Sequence, residues 1–187
     1  MHANQSFIRP QQCCLLVVDP QERLMAHIYE SERVVRNIAL MIRLAGVFSL
    51  PVLASTQYKK GIGGIVPELA ALLLDVPCPD KLFFNALADS EVQQELNRMP
   101  SEVDTLLLCG VETHICIYQT AMGALQAGYG VRVIADGVSS RTSANDRFGR
   151  DRLREIGGVV VPAEMVIYEL LRQAGTPEFK AMLPWLK

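Results

Sequence analysis

Five short and continuous runs of apolar residues constrain the fold of this chain more than any other feature of its sequence. The runs cover residues 14–18, 52–55, 105–109, 131–135 and 159–161. Because their apolar residues do not alternate with polar ones, the runs are typical of strands buried on both faces. Longer amphipathic stretches separate them, and this alternation of strand and helix predicts a parallel sheet covered by helices on both sides.

The stretches between the runs carry the start and stop signals of helices. Helices are predicted over residues 31–47, 89–99, 113–127 and 144–156, each ending at or next to a glycine or a proline. A shorter run that begins at Lys81 supplies one more strand. We therefore expect an α/β fold of three layers (α/β/α), Rossmann-like, with a central and mainly parallel six-stranded sheet.

The composition fits one domain and argues against several classes of partner. Half of the 187 residues are hydrophobic, so we expect a single domain over residues 1–187 with its core at about 14–183. A net charge of −2 gives no reason to expect binding to nucleic acid or to an anionic membrane. Residues 1–10 lack a signal-peptide core, and no apolar run approaches the roughly 18 residues of a membrane span. The expected location is cytoplasmic.

The cysteine pattern is that of reduced thiols. The five cysteines lie at positions 13, 14, 78, 109 and 116, without the paired spacing of a zinc site or a disulfide framework. Cys13, Cys14 and Cys109 are expected in the core. An arginine-rich stretch over residues 141–154 is interleaved with acidic residues, which predicts a solvated helix face.

Cys116 has the most direct implication for chemistry. Residues 106–116 take a predicted strand through a turn into a predicted helix, which places the thiol at a helix N-terminus. Free N–H groups and the positive end of the helix dipole lower a cysteine pKa there and favour the reactive thiolate. Cys116 is therefore a candidate nucleophile, although a buried cysteine that only packs between strand and helix fits the same position.

The residues that follow the strands are the candidates for a site, because ligands bind outside the carboxyl ends of a parallel α/β sheet. Asp19 ends the first strand, Lys81 follows a proline-rich loop, Cys116 follows the fourth strand, and Asp136 closes the fifth. An acid, a lysine and a cysteine are thus expected on one edge. Considered alone, Asp19 would be a helix cap and Lys81 a surface residue. The turn after the first strand is not glycine-rich, which disfavours dinucleotide binding.

Three short motifs at these strand ends resemble, in their order, those of the isochorismatase-like cysteine hydrolases. The motifs are Leu15-Leu-Val-Val-Asp19-Pro-Gln21, Lys81-Leu-Phe-Phe-Asn85 and Gly110-Val-Glu-Thr-His-Ile-Cys116. The resemblance covers residues 14–183 and implies the fold of that family. Further segments, such as Gln57-Tyr-Lys-Lys-Gly-Ile-Gly and Ser140-Arg141, are similar to the isochorismatase-domain-containing subgroup.

The resemblance implies a catalytic triad of Asp19, Lys81 and Cys116. It also implies an oxyanion hole formed by the backbone N–H groups of Glu112 and Cys116, and a cis peptide bond between Val111 and Glu112. A thiol nucleophile needs a base and a positive field close by. Asp19 would accept the proton, and Lys81 would hold Asp19 and stabilise the thiolate. Attack on an amide carbon would give a thioester, which water activated through Asp19 would hydrolyse.

No cofactor and no metal are expected. The nicotinamidase branch of the family carries an Asp-x-His metal motif after the second strand, whereas this chain has Ser55-Thr-Gln-Tyr58 there. His114 lies two residues before Cys116, and residues two apart on a helix face different directions. His114 is therefore not favoured as a catalytic base.

The favoured function is a metal-independent cysteine hydrolase that acts on a C–N bond of a small, weakly charged amide. Two alternatives stay open: an isochorismatase-type vinyl-ether hydrolase in which Cys116 is dispensable, and a non-catalytic scaffold or binding protein of the same fold. The family commonly forms dimers, tetramers or larger rings, which implies a homo-oligomer. The residues expected to line the substrate pocket flank the strand ends: Leu24, Gln57, Tyr58, Phe83, Phe84 and Tyr118.

Overall fold

A six-stranded parallel sheet is the centre of the structure, a computed structural model that describes residues 7–186. The strands are β1 (Cys13–Val18), β2 (Val52–Gln57), β3 (Asp80–Lys81), β4 (Thr105–Val111), β5 (Gly130–Ser139) and β6 (Val159–Val161). Their order is β3-β2-β1-β4-β5-β6, and every pairing is parallel. The predicted sheet is confirmed. The expectations for residues 1–6 and for Lys187 lie outside the described residues.

Helices connect the strands and cover both faces of the sheet. They are α1 (Glu22–Met25), α2 (Ser31–Phe48), α3 (Lys59–Ile62), α4 (Pro67–Ala70), α5 (Ser90–Asn97), α6 (Tyr118–Gln126), α7 (Ser143–Glu155), α8 (Ala163–Leu171) and α9 (Pro177–Met182). A single π-helical turn, Thr113–Ile117, leads into α6. Between residues 7 and 186, no helix combines the length and the apolar character needed to cross a membrane.

The first strand shows why the apolar runs are continuous. Every residue of β1 is buried, because each face of the sheet meets a different apolar layer. Leu15 and Val17 belong to the layer that contains residues of α2 and α8. Leu16 and Val18 belong to the opposite layer, with residues of α5 and α6. The three-layer α/β/α arrangement predicted from the sequence is therefore confirmed.

The fifth strand differs from its prediction, because it continues past Ala135 and ends at Ser139. The pairing register between β4 and β5 shifts between Leu108 and Gly110, so β5 passes through an irregularity without ending. The prediction that Asp136 closes this strand was wrong. Asp136 lies within β5, and its Oδ1 accepts a hydrogen bond from the backbone N–H of Ala163 at 2.8 Å.

One face of α7 also differs from its prediction. Residues 141–154 were expected to form a solvated face, but Asp146, Gly149 and Leu153 are buried. These three residues are spaced three and four apart, so they form one stripe on the side of the helix that faces the protein. The exposed arginines of α7 flank this stripe, and the sequence pattern alone does not distinguish the two faces.

Gly110 allows a test of the packing between β1 and β4. It has a φ of +120°, and a Cβ added at this position would lie 1.9 Å from the carbonyl oxygen of Val18. We expect Gly110→Ala to lower the free energy of unfolding in urea by about 3 kcal/mol, because both strands would have to move. Gly128→Ala is the matched control, since Gly128 has a φ of +91° with nothing within 4 Å, and should cost about 1–2 kcal/mol. Equal losses in the two variants would contradict the account.

Candidate active site

The predicted triad lies at the carboxyl edge of the sheet. Asp19 is the residue after β1, Lys81 ends the short edge strand β3, and Cys116 lies in the helical turn that follows β4. Because β1 pairs with both β2 and β4, Asp19 is placed between the elements that carry the other two residues. The structure thus brings all three together.

Asp19 and Lys81 form a buried ion pair. The Nζ atom of Lys81 lies 2.6 Å from Oδ2 of Asp19, and both side chains are fully buried. The hydroxyl of Ser55 donates to Oδ1 of Asp19 at 2.8 Å, so each carboxylate oxygen has a donor. Asp19 also has a left-handed backbone with a φ of +52°, which non-glycine residues adopt rarely and often at functional sites.

Gln57, which was predicted to bind substrate, contacts Lys81 through its side chain. Its Oε1 accepts a hydrogen bond from Nζ of Lys81 at 2.8 Å, and its Nε2 donates to the carbonyl oxygen of Leu82 at 2.8 Å. The second contact fixes the orientation of the amide, so that its oxygen faces the ammonium group. Gln21 in turn accepts from the backbone N–H of Gln57 at 2.7 Å. Both polar ends of Gln57 are therefore engaged within the protein.

Cys116 is the reactive end of this network. In the π-helical turn that contains it, the N–H of Ile117 donates to the carbonyl oxygen of Glu112 at 3.2 Å, and such turns occur frequently at functional sites. Cys116 is 6% exposed, and its thiol lies close enough to Asp19, Lys81 and the backbone of Glu112 for each of them to shift its pKa. Cys116 thus lies beside the ion pair of Asp19 and Lys81.

The predicted lowering of the Cys116 pKa was wrong. Burial first, and then the negative charge of Asp19, raise the pKa of this thiol to about 12, although the positive charge of Lys81 lowers it. The helix N-terminus does not outweigh the loss of hydration, because a thiolate in a nearly closed site loses most of its contact with water. The resting residue is therefore a neutral thiol that lies beside the Asp19 carboxylate.

The turn before Cys116 has the unusual backbone that the sequence predicts. The peptide bond between Val111 and Glu112 is cis. His114 does not contact the thiol in this arrangement, because its Nδ1 lies 2.9 Å from the hydroxyl of Ser140. The partner of His114 is thus Ser140, the residue after β5, and the carboxylate beside Cys116 is that of Asp19.

Three aromatic residues from the predicted pocket are partly open to solvent. Tyr58, Phe83 and Phe84 are 49%, 56% and 51% exposed. Tyr58 follows β2, and its backbone N–H donates to the carbonyl oxygen of Lys81 at 3.0 Å. Partly exposed aromatic side chains therefore follow the ends of β2 and β3.

Two other residues from the predicted pocket lie elsewhere. Leu24 packs against the apolar core beneath the sheet edge. Tyr118 lies two residues after Cys116, and its side chain lies near Arg152 of α7: the pKa of Arg152 is raised first by its contact with Glu155 and then by Tyr118.

Two residues without a role in the sequence analysis support the site. Ser55 binds Asp19, and Gln21 joins the backbone of Gln57 to that of Gly63, to which its Nε2 donates at 2.7 Å. Their position in strand-end motifs was the available signal, since polar residues that follow buried strands face the site edge. Across residues 7–186, no group of three or more His, Cys, Asp or Glu residues is arranged to hold a metal ion.

Comparison with known sequences identifies one family. The family model for the isochorismatase domain matches residues 13–165. The chain is 34% identical to the secreted isochorismatase effector Isc1 of Phytophthora sojae, over 95% of this chain and 86% of that protein. It is 36% identical to isochorismatase domain-containing protein 2 of Xenopus laevis, over 89% of this chain and 79% of that protein.

Solved structures share the fold. A structure described as the MAR1 ribonuclease from Caenorhabditis elegans has a TM-score of 0.89 and 28% identity, over 97% of this chain and 92% of that chain. The YcaC gene product of Escherichia coli, described as an octameric hydrolase of unknown specificity, has a TM-score of 0.86 and 23% identity, over 95% of this chain and 91% of that chain. The second likeness concerns the fold alone.

The raised pKa of Cys116 predicts its alkylation behaviour. The rate of modification by iodoacetamide should rise with pH beyond the free-thiol value of about 8.5, with no plateau near pH 7, because a raised pKa leaves less thiolate at neutral pH. Asp19→Asn should increase the rate at pH 7, by about tenfold for each unit that the pKa falls, because Asp19 raises the pKa more than Lys81 lowers it.

Peptide mass spectrometry at a series of pH values measures this rate at Cys116 itself. Asp75→Asn, which removes an exposed carboxylate, is the control and should leave the profile unchanged. A plateau near pH 7 in the native protein, or a slower reaction in Asp19→Asn, would contradict the assignment of a resting thiol.

The ion pair predicts a large loss of stability when one partner is removed. Lys81→Met leaves the Asp19 carboxylate buried without its cation and should lower the free energy of unfolding by about 3–5 kcal/mol. The double variant Asp19→Asn with Lys81→Met should lose less than the sum of the single losses. Urea unfolding measures both, with Lys60→Met, an exposed lysine, as the control. Additive losses would show that the two groups do not interact.

Proposed function

The chain belongs to the isochorismatase family of hydrolases, and from this premise we propose that it is a metal-independent cysteine hydrolase that cleaves a C–N bond of a small amide. One observation carries the proposal: the Cys116 thiol lies beside the carboxylate of Asp19, which is held by Ser55 and the Lys81 ammonium. A nucleophile, a base and a fixed positive charge are thus next to one another in a nearly closed site.

The reaction begins when the sulfur of Cys116 attacks the amide carbon. The thiol proton passes to Asp19 as the S–C bond forms, and the carbonyl oxygen becomes an oxyanion. The C–N bond then breaks, the nitrogen takes the proton from Asp19, and the amine leaves a thioester on Cys116. Asp19, again ionised, accepts a proton from water, and the hydroxide oxygen attacks the thioester to release the acid and restore the thiol.

The oxyanion is assigned to the backbone N–H groups of Glu112 and Cys116. The backbone of Glu112 lowers the pKa of Cys116, which supports this assignment, because a group close to the nucleophile is also close to the atom that the nucleophile attacks. Preorganised donors of this kind contribute about 10²–10³ in rate. Lys81 stays bound to Asp19 and Gln57 and stabilises the negative charge that moves between sulfur and carboxylate.

The proposed substrate is small and weakly charged. The positive charge of Lys81 is already matched by Asp19, which leaves no excess charge there for a substrate carboxylate. Tyr58 and Phe83 are the proposed substrate contacts, since both are partly exposed. Nucleic acid is not proposed as a partner, although one structural neighbour is described as a ribonuclease, because the reacting groups are buried and the net charge is −2.

A homo-oligomer in the cytoplasm is part of the proposal. Leu82, Phe83 and Phe84 form an apolar patch with exposed fractions of 70%, 56% and 51%, a feature that suits a subunit contact. The E. coli neighbour is described as an octamer. All five cysteines are free thiols, as suits a reducing compartment.

The role of the thiol can be tested with a panel of small primary amides, by measuring ammonia release. Cys116→Ser should lower kcat by at least about 10³-fold, because an alcohol is a far weaker nucleophile at the same position. Cys78→Ser is the matched control, since Cys78 is an exposed cysteine outside the site. Full activity in Cys116→Ser would overturn the proposal and favour a vinyl-ether reaction in which the cysteine is dispensable.

A further inference from the structure

Side-chain contacts hold the turn that leads to Cys116 against the segment 140–150, and these contacts are called the tether. Each of three consecutive side chains in this turn makes a polar contact with that segment. The contacts join Glu112 Oε2 to the backbone N–H of Arg141 at 2.9 Å, Thr113 Oγ1 to Asp146 Oδ1 at 2.7 Å, and His114 Nδ1 to Ser140 Oγ at 2.9 Å. The backbone that precedes the nucleophile is therefore held from one side by the end of β5 and by α7.

The contact between Thr113 and Asp146 is the most enclosed of the three. Thr113 is 0% exposed and Asp146 is 6% exposed. The second carboxylate oxygen of Asp146 accepts a hydrogen bond from Arg150, which balances the buried charge. A hydrogen bond from a hydroxyl to an ionised carboxylate is stronger than a neutral one, and more so away from water. This carboxylate thus fixes the first residue of the π-helical turn.

Gly149 sets the distance between α7 and the same turn. A Cβ at this position would lie 2.9 Å from the backbone nitrogen of His114 and 2.9 Å from Cγ2 of Thr113. The absence of a side chain therefore lets α7 lie directly on the turn. Asp146 holds the turn, and Gly149 leaves the space that this close approach of α7 requires.

Building on the proposed function, we propose that Asp146 is a positioning residue for the oxyanion hole. Through Thr113 it holds the backbone from Glu112 to Cys116, and hence the two N–H donors, where the oxyanion of the tetrahedral intermediate forms. Displacement of such donors by about 1 Å costs up to about 10²-fold in rate. The residue itself does not touch substrate.

Two reactions of the same thiol separate this role from a general effect on Cys116. Iodoacetamide alkylates sulfur by displacing iodide at a saturated carbon, and no oxyanion forms. With p-nitrophenyl acetate, sulfur attacks the ester carbon, an oxyanion forms, and loss of p-nitrophenolate leaves an acetyl thioester, while Asp19 takes the thiol proton. The ratio of the acylation rate to the alkylation rate therefore reports on the oxyanion donors and not on thiol reactivity.

Two variants disturb the tether in different ways. Thr113→Val removes the hydroxyl that contacts Asp146 at nearly constant side-chain shape, and Gly149→Ala adds a methyl group that would displace the turn. Each should lower the ratio of acylation to alkylation by about tenfold. Thr113→Ser keeps the hydroxyl and should leave this ratio at its native value. Asp146→Ala combined with Thr113→Val should lower the ratio no further than either change alone, because both remove the same tether.

Asp151→Asn is the control, because it removes a carboxylate that pairs with Arg154 on the exposed side of the same helix. Its ratio should equal that of the native protein. A native ratio in both Thr113→Val and Gly149→Ala would overturn the positioning role while leaving the proposed function intact. A native protein that is alkylated but not acylated at Cys116 would overturn both.

Discussion

The buried ion pair between Asp19 and Lys81 is the interaction on which the rest of the site depends. Taking two charges out of water is costly, and their attraction offsets that cost only when the remaining donors and acceptors are also satisfied. Ser55 and Gln57 meet this requirement at 2.8 Å each. The ends of three neighbouring strands must therefore align, and the two-residue strand β3 places Lys81 at that point.

The ion pair also determines the state of the nucleophile. A helix N-terminus in water would favour a thiolate, but Cys116 is nearly closed off and lies next to a carboxylate, so its pKa is raised. The site therefore holds a neutral thiol at rest, and in the proposed reaction the proton moves to Asp19 as the S–C bond forms. Charge is transferred between two neighbouring atoms beside a fixed ammonium group, which limits reorganisation during the reaction.

The sequence was sufficient for the sheet and for the meeting of Asp19, Lys81 and Cys116 at one edge, because strands buried on both faces have continuous apolar runs and their carboxyl ends lie together. It was not sufficient where tertiary contacts decide. The register shift that carries β5 past Asp136 depends on its pairing with β4. Asp146 has the same sequence context as the exposed acids of α7, although it is buried. The pKa of Cys116 depends on burial, which no local motif encodes.

The central claim is that sulfur and carbon are covalently joined during turnover. It is tested most directly by acid quenching of the enzyme within one turnover of an amide substrate, followed by peptide mass spectrometry of the segment that contains Cys116. The account predicts an acyl group on Cys116 that hydroxylamine removes, as expected of a thioester. Substrate consumption with an unmodified Cys116, at times when other peptides are fully recovered, would contradict it.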